Sequence, residues 1–132
     1  MFTTLIVEDD FVNRRLIQDF VKDFGPSHIA VNGLEAVEAV RAALEAGQAY
    51  TLICMDINMR EMDGQTALKE IRKVEEMAGV DLSAGAKVIM MTTLSDMGNV
   101  LEAFRNSADA YLVKPIDRKA FLDNLREFGL IP

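Results

Sequence analysis

Five short apolar runs alternate strictly with segments of helical period, and this alternation is what most restricts the folds open to the chain. The runs are Thr4–Val7 (TLIV), His28–Val31 (HIAV), Thr51–Met55 (TLICM), Lys87–Met91 (KVIMM) and Tyr111–Val113 (YLV). Three of them carry almost no polar residue on either face, as strands do when helices cover both sides of a sheet. The second and fifth are shorter or more polar, which suits edge positions. Between the runs, apolar residues recur at i, i+3, i+4 and i+7, the stripe of an amphipathic helix. The stripes are Leu16/Ile17/Phe20/Val21/Phe24, Leu34/Val37/Val40/Leu44, Leu68/Ile71/Val74, Met97/Val100/Leu101/Phe104 and Phe121/Leu122/Leu125/Phe128. Gly25-Pro26 and Gly47 stop the first two helices. Residues 76–86 show no period and read as a longer connection.

Five β-α units in series give a parallel sheet with helices on both faces. Right-handed crossovers leave few topologies. The expected fold is α/β and flavodoxin-like: a five-stranded parallel sheet in the order 2-1-3-4-5, flanked by five helices, forming one domain over residues 1–132. In such sheets ligands bind beyond the carboxyl ends of the strands, at the switch point between the first and third.

Half of the 132 residues are apolar, enough for a core of this size, and 27% are charged. The net charge of −7 argues against nucleic acid or anionic lipid as a direct partner. One Cys and one His build neither a disulfide framework nor a zinc cluster. The lone Cys54 lies inside an apolar run and reads as a small core hydrophobe. There is no secretory leader pattern and no run of membrane-spanning length, so a soluble cytoplasmic protein is expected.

The chemistry collects at the strand ends. The first run ends in Glu8-Asp9-Asp10, the third in Asp56 with Asn58 two residues on, the fourth in Thr92-Thr93 and the fifth in Lys114-Pro115. In the expected fold these groups meet at one end of the sheet. At least three carboxylates would then share a site, where mutual repulsion raises pKa values unless a cation intervenes. Mg²⁺, a hard ion with oxygen ligands, is the natural remedy. An acid, a metal, a Lys and a Thr together can receive a phosphoryl group, with the carboxylate as nucleophile. Singly the features have plainer readings. Acids at Glu8-Asp9-Asp10 suit a helix start, with Asp10 the best capping candidate, and Asp63-Gly64 looks like the turn into the third helix.

On the segments LIVEDD, MDINMREMDG, VIMMTT and ADAYLVKP, the chain resembles the receiver domains of two-component response regulators, in the CheY-like form, over essentially its whole length. The resemblance implies that Asp56 is the phospho-acceptor, taking its phosphoryl group from a sensor histidine kinase or a phosphotransfer protein. It implies Mg²⁺ held by Asp9, Asp56 and the backbone carbonyl of Asn58, with Glu8 acting mainly through water. Thr92 would bond a phosphoryl oxygen and Lys114 would pair with the acyl phosphate. The bond before Pro115 would be cis. Tyr111 matches the family's switch aromatic, turning inward as Thr92 moves toward the phosphoryl group. The face made by the fourth helix, the fifth strand and the fifth helix would then change partners, a population shift driven by a local charge of about −2. The chain would act as a monomer, or as a phosphorylation-dependent dimer through that face. It would be a regulator and not an enzyme, apart from slow autodephosphorylation, and its downstream protein target stays open. Little follows the fifth helix, so a stand-alone regulator and a fragment of a longer chain are both compatible.

Three positions depart from the family pattern. Arg60 stands where Pro is usual, which frees the loop and adds a cation. Thr93 replaces a smaller residue and could narrow access to Asp56. Ser107 stands where Gly is usual. Two other classes compete. A haloacid-dehalogenase-type phosphatase also uses an aspartyl phosphate, Mg²⁺, Thr and Lys, but it needs an Asp-x-Asp on the first strand. Here Asp56 is on the third and is followed by Ile57-Asn58. A pseudo-receiver that binds partners without phosphorylation fits poorly with an intact Glu8, Asp9, Asp56, Thr92 and Lys114.

Overall fold

The computed structural model describes residues 1–59, 61–96 and 108–132. Five strands form one parallel sheet: β1 (Thr4–Val7), β2 (Ser27–Ala30), β3 (Leu52–Asp56), β4 (Lys87–Thr92) and β5 (Ala110–Val113). Their order is β2-β1-β3-β4-β5, as the alternation predicts. Helices α1 (Phe11–Val21), α2 (Gly33–Glu45), α3 (Gly64–Met77) and a C-terminal helix (Arg118–Glu127) surround it. The expected fourth helix, with Met97, Val100, Leu101 and Phe104, lies outside the described residues, as do Arg60 and Ser107. Four α-helices are therefore described in place of five.

Strand periodicity divides the core in two. Leu5, Val7, Ile53, Met55, Val88 and Met90 face α2 and α3, where Ala36, Val37, Val40, Ala67, Leu68 and Ile71 cover them. The alternate residues Ile6, Cys54, Ile89 and Met91 face α1 and the C-terminal helix, against Ile17, Phe20, Val21, Phe121 and Leu125. Successive strand side chains point to opposite faces, so a strand buried on both sides reads as an unbroken apolar run. Leu34 departs from its expected stripe. It sits in the first turn of α2 and is exposed, while Gly33 and Ala36 take the inward positions. Small residues there let α2 approach the chain closely.

Each described α-helix begins on an Asx cap. Asp10, Asn32, Asp63 and Asp117 accept from the amides of Asn13, Glu35, Thr66 and Ala120. Each cap satisfies one backbone donor left over at a helix start. Asp10 is thus spent on α1 and leaves Glu8 and Asp9 for the rim. Helix α3 runs to Met77, farther than its stripe indicated. The connection to β4 is held by Arg72, which donates to Glu75 and to the Ala86 carbonyl, and by Glu75, which accepts from the Ala86 amide.

Candidate phosphoryl-acceptor site

All five strands run the same way, so their carboxyl ends share one rim. Asp56 is the last residue of β3 and Thr92 the last of β4, while Glu8 and Lys114 directly follow β1 and β5. Residues separated by more than a hundred positions therefore become neighbours. Lys114 Nζ lies 3.1 Å from Glu8 Oε1 and 3.2 Å from Asp56 Oδ2, bridging the two carboxylates. The Lys114 amide donates to the Thr92 carbonyl at 2.6 Å, and the Lys114–Pro115 peptide bond is cis.

Glu8, Asp9 and Asp56 each bring a carboxylate oxygen within 4.8 Å of the others. Their exposures differ. Glu8 is fully buried, Asp56 is 5% exposed and Asp9 faces solvent. Asp56 is more enclosed than a residue on an open rim, because Lys114 sits against one of its oxygens and the Asn58 amide donates to the other at 3.1 Å. Thr92 is also fully buried, and its hydroxyl donates to the Thr93 carbonyl at 3.3 Å. Thr93 Oγ1 is 3.0 Å from Ser95 Oγ, so this hydroxyl bonds along its own loop. Tyr111 is 41% exposed on β5, opposite Met90 of β4. An open cleft of about 420 Å³, lined by Asp9, Val31, Asn32 and Glu61, lies beside the exposed carboxylate.

The charges respond to this packing. Burial, with the nearby charge of Asp56, pushes the Glu8 carboxyl up to about 7, against the opposing pull of Lys114. Burial also works against the Lys114 ammonium, but Asp56 and Glu8 outweigh it and hold its pKa above the usual lysine value. Among the described residues, a cluster of three carboxylates is thus countered by the Lys114 ammonium. Hard oxygen donors, an excess of negative charge and one solvent-facing carboxylate suit a divalent ion that keeps part of its water shell.

The loop between Asp56 and α3 is held from both ends. The Gly64 amide donates to the Ile57 carbonyl at 2.9 Å, and the Gly33 amide at the start of α2 donates to the Met62 carbonyl at 3.1 Å. Asp63-Gly64 is legible in the sequence as a turn, whereas Gly33 carries no chemistry that marks it. The Asn32-Gly33 pair ahead of a helical stripe was the available signal.

The chain matches the response regulator receiver domain family over residues 4–126. It is 31% identical over 126 residues to the osmosensing histidine protein kinase SLN1 of Saccharomyces cerevisiae, covering 94% of this chain and 10% of that protein. With the chemotaxis protein CheY of Bacillus subtilis it shares 32% identity over 125 residues, covering 93% of each. It also resembles the crystal structure of the receiver domain of the sensor histidine kinase PA1611 from Pseudomonas aeruginosa, which has a magnesium ion coordinated in its active site cleft. That likeness has a TM-score of 0.76 at 26% identity and covers 97% of this chain and 98% of the other. This chain therefore spans about a tenth of the length of the yeast kinase and nearly all of CheY. The family match starts at the first residue of β1 and reaches the last turn of the C-terminal helix, and the chain accordingly belongs to the response regulator receiver domain family.

Proposed function

We propose that this receiver domain accepts a phosphoryl group on Asp56 from a phosphohistidine of a sensor histidine kinase or phosphotransfer protein. The observation that carries the reading is the Lys114 bridge between Glu8 and Asp56, beside the exposed carboxylate of Asp9. In the transfer, an Asp56 oxygen attacks phosphorus, the P–N bond breaks, and its electron pair leaves on the imidazole. Lys114 is already within reach of the acceptor and follows the arriving negative charge. Thr92 is one strand over, and its hydroxyl exchanges a weak bond to its own loop for a phosphoryl oxygen. Asp9, Asp56 and the Asn58 carbonyl would hold Mg²⁺, with Glu8 contributing through water. The ion would supply positive charge to the transferred oxygens.

Signalling would follow from the same local change. A group of charge about −2 enters the rim beside the Lys114 ammonium, and Thr92 is drawn toward it. Tyr111 neighbours β4 and would take an inward position as Thr92 moves. The surface around β5 and the C-terminal helix then favours a different protein partner or a second copy of the chain. A soluble, cytoplasmic setting and slow loss of the phosphoryl group by hydrolysis complete the proposal. Size at Thr93 would tune the hydrolysis.

Incubation with acetyl phosphate and Mg²⁺, followed by intact mass, tests the reading. The expected result is a labile phosphoryl adduct that does not form without Mg²⁺ and is absent in Asp56→Asn. A stable adduct in Asp56→Asn would place the acceptor elsewhere. A wild-type chain that takes up no phosphoryl group while remaining folded would favour a receiver that signals without phosphorylation.

A further inference from the structure

We propose that Gly33, on α2 and outside the acidic rim, is a positioning residue that sets the metal-binding geometry of the loop following Asp56. The inference rests on the receiver reading above and extends it to a residue with no chemistry of its own. The Gly33 amide is one of the donors that a helix start leaves without an intrahelical partner. Here it is used across the molecule, on the Met62 carbonyl at 3.1 Å. A Cβ at Gly33 would lie 2.4 Å from that same carbonyl oxygen and 3.0 Å from Ala67 Cβ. The position therefore needs glycine for close approach and not for an unusual backbone angle.

Which side yields to an added methyl follows from what is anchored. The first turn of α2 is closed by Asn32, which accepts from the Glu35 amide, and by Glu35, which accepts from the Val31 amide. Ala36 and Val37 are buried beneath it. On the other side, α3 is capped by Asp63, and Ile57 is buried at the end of β3. The displacement is then taken up at Met62, in the stretch that the Gly64 amide ties back to the Ile57 carbonyl beside Asn58. Glu61 in that stretch already sits at φ 70°, where an L-residue is strained. Asn58, whose amide bonds the Asp56 carboxylate and whose carbonyl is the proposed magnesium ligand, begins the same stretch. Losing a hydrogen-bond partner of a metal ligand typically costs about 10- to 100-fold in affinity, and Gly33 acts one contact farther out, through Met62, which sets the lower end of that range.

Gly33→Ala should weaken Mg²⁺ binding, followed by titration calorimetry on the full chain, by about tenfold. Gly47→Ala is the control. Gly47 lies just past the other end of α2 at φ 70° with nothing near its Cβ position. That substitution strains the backbone without touching the loop, so it should lower thermal stability and leave Mg²⁺ affinity at the wild-type value. In the wild type, the amide resonances of Gly33 and Asn58 should shift along one Mg²⁺ saturation curve. Wild-type affinity in folded Gly33→Ala overturns the proposal, and so does equal weakening in both variants. If Gly33→Ala does not fold, the wild-type resonances decide: an unmoved Gly33 amide while Asn58 shifts overturns it. A wild-type chain that binds no Mg²⁺ overturns the Mg²⁺-dependent phospho-acceptor reading, not the positioning role alone, and this control separates the two failures.

Discussion

At the scale of single residues, Lys114 ties the rim together. Its side chain is 16% exposed, and the ammonium stands between Glu8 and Asp56, both nearly inaccessible to water. Removing one member of a buried ion pair leaves charge without compensation, at a cost of about 3–5 kcal/mol in typical cases. Protonation of Glu8, already pushed up to about 7 by burial, offsets part of that loss. Lys114→Met should therefore lower the stability of the metal-free protein by about 2–3 kcal/mol in urea denaturation. Added Mg²⁺ should return more stability to the variant than to the wild type, because the ion then supplies the missing positive charge. Equal stabilisation of both proteins would show that the ammonium and the metal do not balance the same carboxylates.

At the scale of elements, one arginine joins three segments. Arg72 of α3 donates to Glu75 and to the Ala86 carbonyl, and its other amino group lies 3.3 Å from Asp109 Oδ2 just before β5. Asp109 in turn accepts from the Val88 amide of β4. The aperiodic connection between α3 and β4 is thus ordered by side chains reaching backbone groups, and such contacts leave no period in the sequence. Gly85 belongs to this arrangement, since a Cβ there would lie 2.8 Å from Glu75 Oε1. Arg72→Met keeps much of the side-chain volume but takes the cation from the buried Glu75 carboxylate, leaving it the Ala86 amide. The expected loss is about 3 kcal/mol in a denaturant midpoint experiment. A change within about 0.5 kcal/mol, the range of ordinary surface substitutions, would show that the network is not a fastening.

At the scale of the whole molecule, the three central strands are buried on both faces, and Cys54 reports on that seal. It is fully buried on β3 among Ile6, Ile17, Phe20 and Phe121, and burial pushes its thiol far up from the usual range. The thiolate is the reactive form, so a thiol reagent should modify the native protein only as fast as the core opens. Labelling rates across a urea series should follow global unfolding. Rapid labelling in native buffer would show that the face under α1 and the C-terminal helix opens locally.

The sequence by itself determined whatever depends on near neighbours and on period. Both faces of the central sheet follow from the unbroken apolar runs, and the starts of α1 and α3 from Asp10 and Asp63, each three positions ahead of the amide it caps. The rim acids, Thr92 and Lys114 were legible because parallel strands deliver their ends to one side. Only the tertiary structure decided how those groups pair. Lys114 meets Glu8 across 106 positions, Arg72 meets Asp109 across 37, and the Gly33 amide meets the carbonyl of Met62. The physical reason is that local propensity specifies a strand or a helix turn by turn, whereas a contact between elements depends on how far each strand extends and how closely each helix packs. Those distances are settled when both faces of the sheet are buried together.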